Sequence, residues 1–164
     1  MGTKEFVQRL DWSSAITAAK LDIEKNKEDA DAYLYRGIAG CFIPDKEGKH
    51  KEAIDDFSKA IVHYSNNHQG ANNYEAYYYR AYAYYLDGDY EKAIADCNYI
   101  STNKNTYPYK EELLGKIYYS MGKYKETVDN FNEVIKFCLT QTLPISTPCL
   151  LDSYNEACKK MNRV

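Results

Sequence analysis

Apolar residues recur along this chain at spacings of three and four, the rhythm of one buried stripe on a helix. It is clearest from His50 to Tyr64, where Ala53, Ile54, Phe57, Ala60, Ile61 and Tyr64 fall on one face. The same rhythm predicts helices over Ala30–Phe42, Tyr74–Leu86, Tyr90–Ser101, Pro108–Ser120, Tyr124 to about Thr140, and Cys149–Met161. Breakers separate them. Pro44 stops the first, and Asp87-Gly88-Asp89 and Met121-Gly122-Lys123 read as tight turns in which glycine takes a positive φ. Pro44–Lys49, Ser65–Asn73 and Thr102–Tyr107 read as polar loops. Leu143–Pro148, with two prolines, cannot be helical throughout.

The predicted helices repeat one another. Ala32-Tyr33-Leu34-Tyr35-Arg36-Gly37 parallels Ala76-Tyr77-Tyr78-Tyr79-Arg80-Ala81 and, more loosely, Leu114-Gly115-Lys116-Ile117-Tyr118-Tyr119. In the helices that follow, Glu52-Ala53-Ile54 parallels Lys92-Ala93-Ile94 and Glu126-Thr127-Val128. Ala93 and Thr127 stand 34 residues apart, a period characteristic of stacked helix–turn–helix units. Near the start, Trp12 aligns with Tyr90 and Tyr124, and Ala15 with Ala93. Residues 3–28 therefore read as an abbreviated repeat with a short first helix around Phe6. Three fuller repeats follow at 29–72, 73–106 and 107–140, and 141–164 reads as a capping helix on the last of them, since a stack needs closed ends.

Composition narrows the function. The net charge is −3, which suggests no broad basic surface for nucleic acid. Five cysteines, an odd number without a Cys-x-x-Cys pair, indicate neither a disulfide framework nor a zinc site. The first fourteen residues carry charges and no long apolar run. With no membrane span elsewhere, a cytoplasmic protein is expected. His50, His63 and His68 do not share a face suited to metal, and no serine elbow, phosphate loop or catalytic constellation stands out. No catalytic residue, metal or cofactor is therefore expected. The outlying residue is tyrosine, present 18 times. Its flat apolar body and polar tip serve helix packing and partner contact alike.

These motifs resemble the tetratricopeptide repeat (TPR). The small position of the first helix is Gly37, Ala81 and Gly115. Its counterpart on the second helix is Ala53, Ala93 and Thr127, and the second-helix aromatic is Phe57 and Phe131. The pattern departs at Glu111, at Cys97 in place of an aromatic, at His50, and at Ser65 in place of a terminal proline. Arg36 and Arg80 share one repeat position and Asp56 and Asp96 another, while the third repeat has Leu114 and Asn130 there. The arginines are expected to bond the aspartates, within or between repeats.

The resemblance implies an all-α fold: a right-handed superhelical stack of antiparallel helix pairs. It also implies a concave groove lined by the first helices. Carried over residue by residue, that groove would present Leu34, Ile38, Cys41 and Phe42, then Tyr78, Tyr79, Tyr82 and Tyr85, then Tyr109, Glu112, Lys116 and Tyr119. The positions that grip acidic carboxyl tails in chaperone-binding relatives carry no cationic clamp here. The implied function is a non-enzymatic scaffold that binds a peptide or protein segment in a Tyr-rich groove. The alternatives are a self-associating homodimer or a chaperone-like carrier. Neither nucleic acid nor membrane is expected as a partner.

Overall fold

The computed structural model describes residues 2–43, 49–66, 70–100, 109–141 and 148–161. Among these the chain is helical without strands. The helices are α1 (Thr3–Gln8), α2 (Trp12–Lys25), α3 (Ala30–Phe42), α4 (Lys49–Asn66), α5 (Gly70–Asp87), α6 (Tyr90–Tyr99), α7 (Tyr109–Ser120), α8 (Tyr124–Thr140) and α9 (Pro148–Met161). Pro44, the loop at 102–107, Pro108, residues 143–147 and His68 lie outside the described residues.

Local chemistry sets the boundaries. The Asp11 carboxylate caps α2 by accepting from the Ser14 N–H at 3.1 Å, and Asp29 caps α3 through the Ala32 N–H at 2.9 Å. Three turns share one design. Gly88 and Gly122 have φ of 83° and 72°, and the N–H groups of Asp89 and Lys123 return to the carbonyls of Tyr84 and Tyr118 at 2.9 Å. Between α1 and α2 the same place is held by Leu10, at φ 59°, with the Asp11 N–H returning to the Phe6 carbonyl at 3.0 Å.

One expected loop is corrected. Ser65–Asn73 is not loop throughout, because α4 continues to Asn66 and α5 begins at Gly70. The Asn-rich composition lowers helix propensity by a few tenths of a kcal/mol per residue. Packing of α5 along α4 outweighs so small a cost.

The chain divides into two compact units, Met1–Tyr99 and Ile100–Val164. In the first, α3 touches α1, α2, α4 and α5. Its core gathers Leu34, Phe57, Ala60, Tyr64 and Ala83, and the Tyr64 hydroxyl donates to the Asp31 carboxylate. In the second, α8 packs against α7 and α9, and Phe131, Val134, Cys138 and Leu150 form a core.

Each helix pair is locked where a first helix meets a second. A Cβ on Gly37 would lie 2.6 Å from the Phe57 ring, and one on Gly115 would lie 2.2 Å from the Phe131 ring. The small position therefore lies closest to the second-helix aromatic. One helical turn on, a Cβ on Gly40 would lie 3.7 Å from the Ala53 methyl. In the middle repeat Ala81 and Cys97, both fully buried, replace the glycine and the phenylalanine together, so volume lost on one helix is gained on the other.

Arg36 and Arg80 bond aspartates of their own repeats. Arg36 reaches Asp56 through Nε at 2.8 Å and Nη2 at 2.6 Å; Arg80 reaches Asp96 through Nε at 2.7 Å and Nη2 at 2.8 Å. Both are bidentate forks onto nearly buried carboxylates.

Candidate functional site

The residues expected to line a groove separate into three groups. Leu34 and Ile38 are a correction. They are 1% and 3% exposed and belong to the core of the first unit. With four neighbouring helices around it, α3 has no open side at these positions.

The second group forms the candidate site. Phe42, at the end of α3, is 41% exposed. It stacks on Tyr82 of α5 with ring centres 6.0 Å apart, and on Trp12 of α2 at 5.2 Å. Tyr82 leans on Tyr85 at 6.3 Å, and Tyr85 on Tyr90 of α6 at 6.2 Å. Trp12, Phe42, Tyr82, Tyr85 and Tyr90 thus make a continuous series of half-exposed or exposed rings. They lie at one end of the unit, where first helices finish and second helices begin. Trp12 and Tyr90 were not expected as site residues. The signal was present, since they share one repeat position, but that position lies on the second helices, whereas the resemblance implies a groove lined by the first.

Tyr78 and Tyr79 adjoin this series differently. They meet edge to face at 5.3 Å, and Tyr79 also lies 6.1 Å from the core ring of Phe57, so it joins surface to core. Tyr77 and Tyr84 face the second helix of their repeat. Tyr77 stacks on Tyr99 at 4.9 Å, and Lys92 sits over Tyr84 at 5.4 Å. Burial pushes the Cys41 thiol up to about 12. That side chain stays neutral beside Phe42 and offers no nucleophile at neutral pH.

The third group lies on α7, in the second unit. Tyr109 is 58% exposed. Glu112 and Lys116 pair with each other at 2.6 Å. The Tyr119 hydroxyl donates to Glu156 of α9 at 2.6 Å, so the last helix contacts α7 as well as α8.

Among the described residues no three His, Cys, Asp or Glu side chains converge to hold a metal, and no helix is long and apolar enough to cross a membrane. Paired helices stacked in repeats, with aromatic side chains presented at their ends, define a helical-repeat interaction protein. The family of the anaphase-promoting complex, cyclosome, subunit 3 matches residues 54–134. A crystal structure of MamA is similar with a TM-score of 0.65 at 18% identity, covering 98% of this chain and 95% of that one. The MamA RS-1 ArsTM double mutant is similar with a TM-score of 0.65 at 12% identity, covering 98% and 91%. Identities this low speak for the fold alone. Among curated proteins no sequence matches. Motifs, the helical fold and the family match over residues 54–134 together support a tetratricopeptide-repeat protein.

Proposed function

We propose that this protein is a non-enzymatic adaptor that holds a peptide or protein segment against the ring series of its first unit. Tetratricopeptide repeats are interaction modules, and protein partners follow from that class. The finer reading rests on one observation: five rings from four helices are held in mutual contact while remaining partly open to solvent. Preassembled aromatic surface binds apolar side chains with little ordering cost. The rings themselves are uncharged, so burial rather than ion pairing would supply the affinity. The net charge of −3 argues against nucleic acid as the partner, and the cysteines, described as free thiols at Cys41, Cys97, Cys138 and Cys158, fit a cytoplasmic setting.

Affinity capture with the wild type and with Phe42→Ala/Tyr82→Ala/Tyr85→Ala tests this reading. Val62→Ala, which changes an exposed residue of α4, serves as the control. Partners retained by the control and lost from the triple variant are expected. Buried aromatic anchors are each worth about 2 kcal/mol or more, roughly thirtyfold in affinity. A triple variant that keeps its helicity and every partner removes the proposal. Self-association is a second reading, supported by Leu10 and Leu21, which are 68% and 51% exposed near the start of the chain. Light scattering that reports one mass across a concentration series eliminates it.

A further inference from the structure

A cleft of about 540 Å³ lies between α2, α3 and α4, lined in part by Ile16, Lys20, Arg36, Gly40, Glu52 and Ala53. None of these residues belongs to the aromatic series. The volume is that of a small-molecule site, and Gly40 and Ala53 keep its wall low.

Comparison of the repeats explains why it is open. Five residues beyond the small position of a second helix stand Lys20, Ser58 and Asn132, counted from Ala15, Ala53 and Thr127. At Ser58 the hydroxyl accepts from Arg80 Nη1 of the next first helix at 3.0 Å. At Asn132 the amide oxygen accepts from the Tyr154 hydroxyl of α9 at 3.0 Å. At these two junctions the position is thus an acceptor that fastens the following helix. Lys20 cannot accept. It lines the same cleft as Arg36, whose Nε and Nη2 are taken by Asp56 and whose Nη1 has no hydrogen-bond partner among the described residues. Two donors thus line one cleft, whereas the Ser58 and Asn132 junctions each pair a donor with an acceptor.

The remaining charges specify the missing group. Asp56 is held by Arg36, and Asp55, also on the wall, by Lys59 at 2.6 Å. Lys20 and Glu52 have no partner among the described residues. A simple anion would meet three carboxylates against two cations. A ligand carrying both signs meets complementary charge at each end.

We propose that this cleft binds a small zwitterion of the α-amino-acid class. Its carboxylate is held by Lys20 Nζ and the free edge of Arg36, and its ammonium by Glu52. The ligand supplies the acceptor that Ser58 and Asn132 supply elsewhere, and so fastens α3 to α2.

The full chain is titrated with glycine, L-alanine and L-glutamine, and with acetate and methylammonium as half-ligands, following the Gly40 and Ala53 amides by NMR. Saturable shifts are expected with at least one amino acid, and binding about tenfold weaker for either half-ligand. Lys20→Gln and Glu52→Gln are each expected to weaken binding about tenfold. Lys20→Ser restores an acceptor for Arg36, so it is expected to raise the Tm while abolishing the shifts. No saturable response to any amino acid overturns the proposal, as does equal affinity in Lys20→Gln and Glu52→Gln. Acetate binding as tightly as the amino acids marks an adventitious anion site and overturns it too.

Discussion

At the scale of single residues, the turns and the small positions carry the sharpest consequences. Leu10 occupies the left-handed position that Gly88 and Gly122 hold in the other turns. A side chain there costs about 1–2 kcal/mol, and glycine gives back part of that through its freedom in the unfolded chain. Leu10→Gly should stabilise by about 0.5–1 kcal/mol, read as a higher urea midpoint with an unchanged slope. Gly115→Ala should do the reverse. Alanine favours a helix by about 1 kcal/mol, but its methyl would sit 2.2 Å from a fully buried ring. Overpacking of this kind costs about 1–3 kcal/mol or more, so a net loss is expected. Adding Phe131→Cys should make the double change less costly than the sum of the two by at least about 0.5 kcal/mol, because it copies Ala81 with Cys97. Burial, then Glu75 and Asp31, push the Tyr35 phenol from 10.0 up to about 12. The folded chain thus holds this proton more tightly than the unfolded one. The stability it contributes is whole below pH 10.0 and is lost as the pH climbs through about 12. Tyr35→Phe should flatten that alkaline loss in chemical unfolding followed across this range.

At the scale of helices, each Arg–Asp fork fixes how a first helix meets its second. Arg80→Ala strands Asp96, which is 5% exposed, and should cost about 3–5 kcal/mol in urea unfolding. Arg80→Leu with Asp96→Asn should cost far less, because nothing charged is left buried and the third repeat already carries Leu114 with Asn130. That coupled exchange was legible before any coordinates, since charges that vanish together must answer to each other. The helix periods and glycine turns were legible for a similar reason: local chemistry determines them. The start of α5 was not. Asn72 and Asn73 read as loop because propensity is local, whereas the stabilising contact comes from α4.

At the scale of the molecule, repetition made the family readable and the exposed surface less so. A repeat pattern says which helix comes first in each pair, but not how many neighbours surround it. Leu34 and Ile38 were assigned to an open face on that basis, yet the short α1 and the long α5 both reach α3. Trp12 was missed because it lies on a second helix, while the repeat pattern points to first helices for an open face; its ring extends the series to Phe42. The reciprocal fit of glycine with phenylalanine, and of alanine with cysteine, also limits how such a chain can be rebuilt. A crossover inside a repeat would set a methyl against a phenyl ring, or a glycine against a thiol too small to fill the space. Crossovers between repeats keep each match intact. The smallest heritable module of this protein is therefore the complete hairpin, and libraries that shuffle single helices should yield far fewer folded members than libraries that shuffle hairpins.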